Sequence, residues 1–158
     1  MNTIYKIYSK IENLYLRKQY SNGDITILTP NCLGGVLYHK LGLRFNSPTI
    51  NLWMFPKDFY KFVLNLNYYV LQDVYSINSK RNYPVGQIGE GDKTITLYFQ
   101  HYNSFEEAKL KWNIRKQRII KDKIYVIGTD RDGITFNDIK QIGTATVHKI
   151  INFYCETL

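Results

Sequence analysis

The chain has 158 residues, 44% hydrophobic and 22% charged, which is the size and composition of one globular domain rather than of a disordered segment. No run of about 18 apolar residues is present to span a membrane, and segment 1–19 is broken by Lys6, Lys10, Glu12, Arg17 and Lys18, so it lacks a signal-peptide core. The net charge of +8 favours anionic partners, but no nucleic-acid module signature accompanies it, so nucleic acid is not expected.

Apolar residues at helical spacing from Ile4 to Tyr15 predict an amphipathic helix over 3–19, stopped by Ser21-Asn22-Gly23-Asp24. Ile25–Leu28 reads as a short buried strand ending at Thr29-Pro30, with a helix over Val36–Leu41 behind it. Asn46-Ser47-Pro48-Thr49 is a loop, and Ile50–Phe55 is expected to be a second strand. Pro56 suits the first turn of a helix running to about Leu66, because its missing N–H has no helical partner there. Tyr68–Ile77 fits a helix, with strand as the alternative. Tyr83–Asp92 carries one Pro and three Gly and reads as a loop.

Thr94–Gln100 alternates and predicts a strand. Ser104 and Glu107 form a capping box that starts a helix running to about Ile119. A buried strand over Ile124–Ile127, a turn at Thr129–Gly133 and a helix over Phe136–Ile142 complete the series. This alternation predicts a single α/β domain over 1–158, with a mainly parallel central sheet covered on both faces.

In a parallel sheet the loops leaving the strands share the carboxyl edge, where ligands bind in open α/β folds. Asn31–Gly35, His101-Tyr102 and Asp130–Gly133 all follow predicted strands. Gly34 and Gly35 suit either an anion cradle at a helix start or a tight turn needing positive φ. Cys32 is either a nucleophile with a depressed pKa or a small buried residue. His101 is either a general base or a cap on the sheet edge.

Arg115 lies beside the apolar stripe of the 104–119 helix (Phe105, Ala108, Trp112, Ile119), with Arg118 further round. A guanidinium there needs a carboxylate or a bound anion, and Asp130 is a candidate for the first. Asp130-Arg131-Asp132-Gly133 fails the spacing of a calcium loop. The two cysteines, Cys32 and Cys155, lack zinc spacing and read as inert thiols in a reducing compartment. No metal site is expected, and no cofactor is indicated.

Seven segments in order carry a family resemblance: Asn31–Gly35, Leu41–Leu43, Asn46–Thr49, Tyr83–Gly86, His101-Tyr102, Ser104–Trp112 and Thr129–Gly133. Together they resemble the bacterial domain-of-unknown-function family nineteen-nineteen, often labelled exopolysaccharide biosynthesis protein. The resemblance spans about 25–142. The tail 144–158 departs from the pattern, as does Leu33, where an aromatic residue is common.

The resemblance implies a three-layer α/β/α fold and a place in capsule or exopolysaccharide synthesis, and with no targeting segment visible a cytoplasmic protein is expected. It points to Asn31, Cys32, Ser47, Thr49, His101, Tyr102, Arg115, Arg118 and Asp130. The expected activity is a transferase on a saccharide or nucleotide-sugar intermediate. Arg115 and Arg118 would take phosphate, His101 would act as base, and Cys32 and Asp130 are further catalytic candidates. Asn31 with the Gly34-Gly35 backbone would orient substrate, beside Ser47, Thr49 and Tyr102. The alternative is a non-catalytic component associating with membrane-bound polysaccharide-synthesis proteins. A shortened family member, with an incomplete sheet, is the third expectation.

Overall fold

The computed structural model describes residues 3–20, 23–129, 140 and 149–153. Helix α1 spans Thr3–Tyr20, and strand β1, Thr26–Leu28, is buried at every position. Helix α2, Leu33–Leu41, stops at Gly42, whose φ of 67° is the left-handed conformation that glycine adopts without a Cβ penalty. Arg17 of α1 donates to the carbonyl of His39 at 3.0 Å, placing a cation on the negative end of α2.

Helix α3, Pro56–Leu64, opens on proline as expected, and a single turn, α4, follows at Leu66–Tyr69. Strands β2 (Tyr75–Ser76), β3 (Val85–Ile88) and β4 (Ile95–Tyr98) precede helix α5, Phe105–Lys116. Ser104 caps α5, its Oγ accepting the Glu107 N–H at 3.1 Å. Glu107 reaches back to the Asn103 N–H at 3.3 Å, one residue earlier than a standard capping box would place it. Strand β5 covers Ile124–Thr129 and β6 covers Lys149–Phe153.

Among the described residues the strands divide between two sheets. One is parallel, in the order β1-β5-β6, and the other antiparallel, in the order β2-β3-β4. The expectation of one mainly parallel sheet therefore gives way to a mixed helix-and-strand fold. Two local readings account for the difference. Val85–Ile88 is a strand inside the glycine-rich stretch read as loop. At Gly86 a Cβ would meet Val74 Cγ1 at 2.9 Å and Phe105 Cε2 at 3.0 Å, so this strand position has no room for a side chain.

Conversely, Ile50–Phe55 is not a ladder strand. It is a turn at 48–51 followed by one isolated bridge between Trp53 and Tyr98. Tyr68–Ile77 splits into α4 and β2. The 129–133 turn (beyond Thr129) and the 136–142 helix (Lys140 apart) lie outside the described residues.

Parallel strands alternate their side chains between two clusters. Ile27 and Ile127 pack with Tyr38 of α2 and with Ile50. Leu28, Ile124 and Val126 join the larger cluster, which takes Phe59 and Phe62 from α3, Ile88 and Leu97 from the antiparallel sheet, and Trp112 from α5. Residues two apart thus share a face of the sheet, and adjacent ones go to opposite faces. The carboxyl ends of β1 and β5 are left pointing the same way.

Candidate functional site

Where β1 ends, Thr29 is buried and organises the loop into α2. Its Oγ1 donates to the Asn31 carbonyl at 2.7 Å and accepts the Gly34 N–H at 3.1 Å. Asn31 Oδ1 accepts the Leu33 N–H at 3.0 Å. Two of the amide groups that open α2 are thus bonded within the loop rather than offered to an anion. Neither Gly34 nor Gly35 has positive φ, so the tight-turn reading does not hold either. Both instead permit close approach: a Cβ on Gly34 would lie 2.7 Å from Thr29 Oγ1, and one on Gly35 2.9 Å from Asn51 Oδ1.

The segment Phe45–Asn51 runs beside β1, from Asn46 at its first residue to Thr49 at this edge. Asn46, Ser47 and Thr49 are buried. Thr49 Oγ1 accepts the Thr29 N–H at 3.2 Å, and Ser47 Oγ lies 3.0 Å from the same hydroxyl. The Asn46 carbonyl accepts from Thr26 Oγ1 at 3.2 Å. Asn51 has φ of 64°, the only left-handed non-glycine among the described residues, and asparagine is among the types that tolerate it.

The carbonyl of Ile50 joins this segment to Tyr102 and α5. It accepts the Tyr102 hydroxyl at 2.9 Å and Arg115 Nη1 at 3.3 Å, and the same Nη1 donates to the Tyr102 oxygen at 2.6 Å. Arg115 is only 7% exposed, and its guanidinium carbon stands 5.2 Å from the centre of the Phe45 ring. Burial raises the pKa of the Tyr102 hydroxyl, and the positive charge and hydrogen bond of Arg115 oppose that rise. Among the described residues, the oxygens that hold Arg115 are all neutral. Asp130, the sequence-predicted carboxylate partner, lies outside them.

The structure therefore brings together Asn31, Gly34, Gly35, Ser47, Thr49, Tyr102 and Arg115 through one turn. It leaves others apart. His101 is exposed in the turn after β4, and among the described residues no hydrogen bond joins it to Cys32 or Arg115. Arg118 lies beyond the end of α5, half-buried, its N–H donating to the Arg115 carbonyl at 3.0 Å. Cys32 is a free, exposed thiol at the N-terminal boundary of α2, which corrects the buried reading. The physical reason is that α2 turns its next residues, Leu33 and Gly34, towards the sheet instead.

Sequence reasoning missed Thr29, Phe45, the Ile50 carbonyl and Asn51. A threonine closing a buried strand before Pro30 was the available signal for the first. A main-chain acceptor leaves no signature in residue identity. Among the described residues, no group of three or more His, Cys, Asp or Glu is placed to hold a metal ion.

A cleft of about 620 Å³ lies elsewhere, lined by residues including Val63, Leu66, Leu71, Lys116 and Ile124. Ile124 is the first residue of β5, so this cleft sits at the amino edge of the parallel sheet, and it takes in Lys116, the residue after Arg115.

Residues 3–154 match the family model described as domain of unknown function (DUF1919), a span that takes in α1 and β6, both outside the motif region 25–142. A protein of Haemophilus influenzae, described as an uncharacterized protein, is 33% identical over 147 residues, covering 89% of this chain and 69% of that relative. The seven short segments and a family match running nearly end to end agree, and the chain belongs to the DUF1919 family.

Proposed function

We propose that this chain binds a phosphate-bearing saccharide or nucleotide-sugar intermediate at the polar turn around Arg115, beside its parallel sheet. The corresponding activity is a transferase of bacterial exopolysaccharide or capsule synthesis, working in the cytoplasm. One observation carries the reading: Arg115 is buried, and its described partners are the neutral oxygens of Ile50 and Tyr102. A buried cation held by neutral groups is suited to a phosphate, whose charge supplies what those oxygens lack. In this reading β1-β5-β6 is the middle layer of an α/β/α arrangement, supported by the opposite packing of Ile27 and Leu28.

The roles divide by position. Arg115, oriented by Tyr102, takes the phosphate, while the Asn31 loop and the Ser47–Thr49 turn shape the edge beside it. His101, adjacent in sequence to Tyr102 and open to solvent, supplies the general base that removes a proton from an acceptor hydroxyl.

The test is ligand-dependent thermal stability against nucleotide sugars and sugar phosphates. At one hundred times Kd a ligand adds about 2.7 kcal/mol, which for a chain of this size raises Tm by roughly 5–10 °C. Arg115→Lys retains the charge but loses the planar fork, and is expected to keep the unliganded Tm within a few degrees while losing the ligand shift. Full ligand response in Arg115→Lys, or collapse of Arg115→Ala with no ligand effect in the parent chain, would assign Arg115 a purely structural role.

A second reading, a non-catalytic component of a polysaccharide-synthesis complex, draws on one observation. The cleft is lined by Lys116 and Lys121 but by neither Arg115 nor His101. Turnover-independent association with a membrane glycosyltransferase, by a chain that ignores every nucleotide sugar, supports it over the transferase.

A further inference from the structure

The amino edge of the parallel sheet presents a surface of different chemistry from the site above. The cleft there is walled by Val63, Leu66, Val70, Leu71, Ile119 and Ile124. Its floor is the hydrophobic core itself: Val63 and Ile124 belong to the main cluster, and Leu66 and Ile119 pack against it. Towards the rim the apolar lining continues into solvent, with Leu71 81% exposed. The volume, about 620 Å³, is that of a site for one small molecule, since such sites run about 300–1,000 Å³.

Charge at the rim is of one sign. Lys116 and Lys121 line the cleft, and none of its lining residues is a carboxylate. Lys116 is held in place by donating to the Gln72 carbonyl at 2.9 Å, which leaves two of its three donors for a ligand. The carboxyl ends of α3 and α5 also meet here, each worth roughly half a negative charge. Two full lysine charges outweigh them, so the rim favours an anion.

An apolar trough under a cationic rim fits one occupant better than any other: a hydrocarbon tail with an anionic head. We propose that this cleft binds a single-chain lipid anion, with the tail along Val63, Leu66, Val70 and Ile119 and a phosphate or carboxylate head between Lys116 and Lys121. Arg115 does not line this cleft, and the proposal does not depend on the transferase reading.

Calorimetric titration of the full chain with dodecyl phosphate, kept below its micelle concentration, tests it. The expected result is saturable one-to-one binding at least tenfold tighter than that of the neutral dodecyl maltoside, with no binding of inorganic phosphate. Lys121→Glu and Leu71→Glu are each expected to weaken binding tenfold or more. Both residues are exposed, so the variants keep the parent's circular dichroism and Tm. Titration in the presence of a nucleotide sugar should leave the dodecyl phosphate affinity unchanged, which keeps this result apart from any at the polar turn. Equal affinity for the neutral detergent, binding that appears only above the micelle concentration, or undiminished binding by both glutamate variants would each overturn the proposal. So would binding to anionic phospholipid vesicles without binding of the monomer, which would make this a membrane-facing surface instead.

Discussion

Gly34 shows how much of the site depends on atoms that are absent from a side chain. Its N–H donates to Thr29 Oγ1, and a Cβ added there would stand 2.7 Å from the same oxygen. Gly34→Ala must therefore push Thr29 away and weaken the bond that ties β1 to the start of α2. Overpacking of this kind costs about 1–3 kcal/mol, and a urea unfolding curve with a lowered midpoint and unchanged slope is the expected outcome. A midpoint equal to the parent's would show that the threonine gives way freely.

At this scale the sequence was partly legible. Arg115 stood beside an apolar helical stripe, and it is buried. Ser47 and Thr49 were visible only through the family motif, because nothing in a loop composition says which hydroxyls will fold inward. Cys32 was misread: its small, apolar character favours burial on average, while the geometry of one loop exposes it.

Among the elements, α5 carries the clearest local code. Ser104 accepts the Glu107 N–H at 3.1 Å, satisfying one of the helix's otherwise free amides. Ser104→Ala is expected to cost about 1 kcal/mol, while Ser104→Asp, which keeps an acceptor and adds charge at the positive helix end, should recover most of it. Chemical denaturation of the three proteins measures both. If the aspartate variant is no more stable than the alanine one, the cap contributes nothing to α5.

Helices were legible here because the Ser104 cap and Pro56 are local chemistry. The strands were less so. Val85–Ile88 is only four residues long and contains Gly86, whose pairing with Leu97 and lack of side chain are decided by distant neighbours. Lys149–Phe153, from the tail that departs from the family motifs, pairs in parallel with β5 over five positions, from Tyr125 with Lys149 to Thr129 with Phe153. Pairing across that separation leaves no trace in local periodicity.

For the molecule as a whole, the buried tyrosines set a limit at alkaline pH. Tyr38 is buried between β1 and α2, and desolvation pushes its pKa from 10.0 up to about 12, against the hydrogen bonds it makes with the backbone. Tyr102 is shifted in the same direction. A folded pKa above the unfolded one means that the stabilisation is complete below about pH 10 and is lost as pH rises through about 12. Phenolate absorbance and far-ultraviolet circular dichroism, followed together, should show exposed tyrosines ionising first, then a second ionisation coinciding with loss of helix. A single ionisation centred near the ordinary value, with the helix intact, would contradict this.

The Ile50 carbonyl carries one more implication. An amide oxygen has two lone pairs, and here both are occupied, one by a phenol and one by a guanidinium. If Arg115 turned its Nη1 towards a visiting anion, Tyr102 would still hold the oxygen, and no buried acceptor would be orphaned. The turn is fastened twice, so one fastening is spare. The arginine is therefore free to change partners while the edge around it keeps its shape.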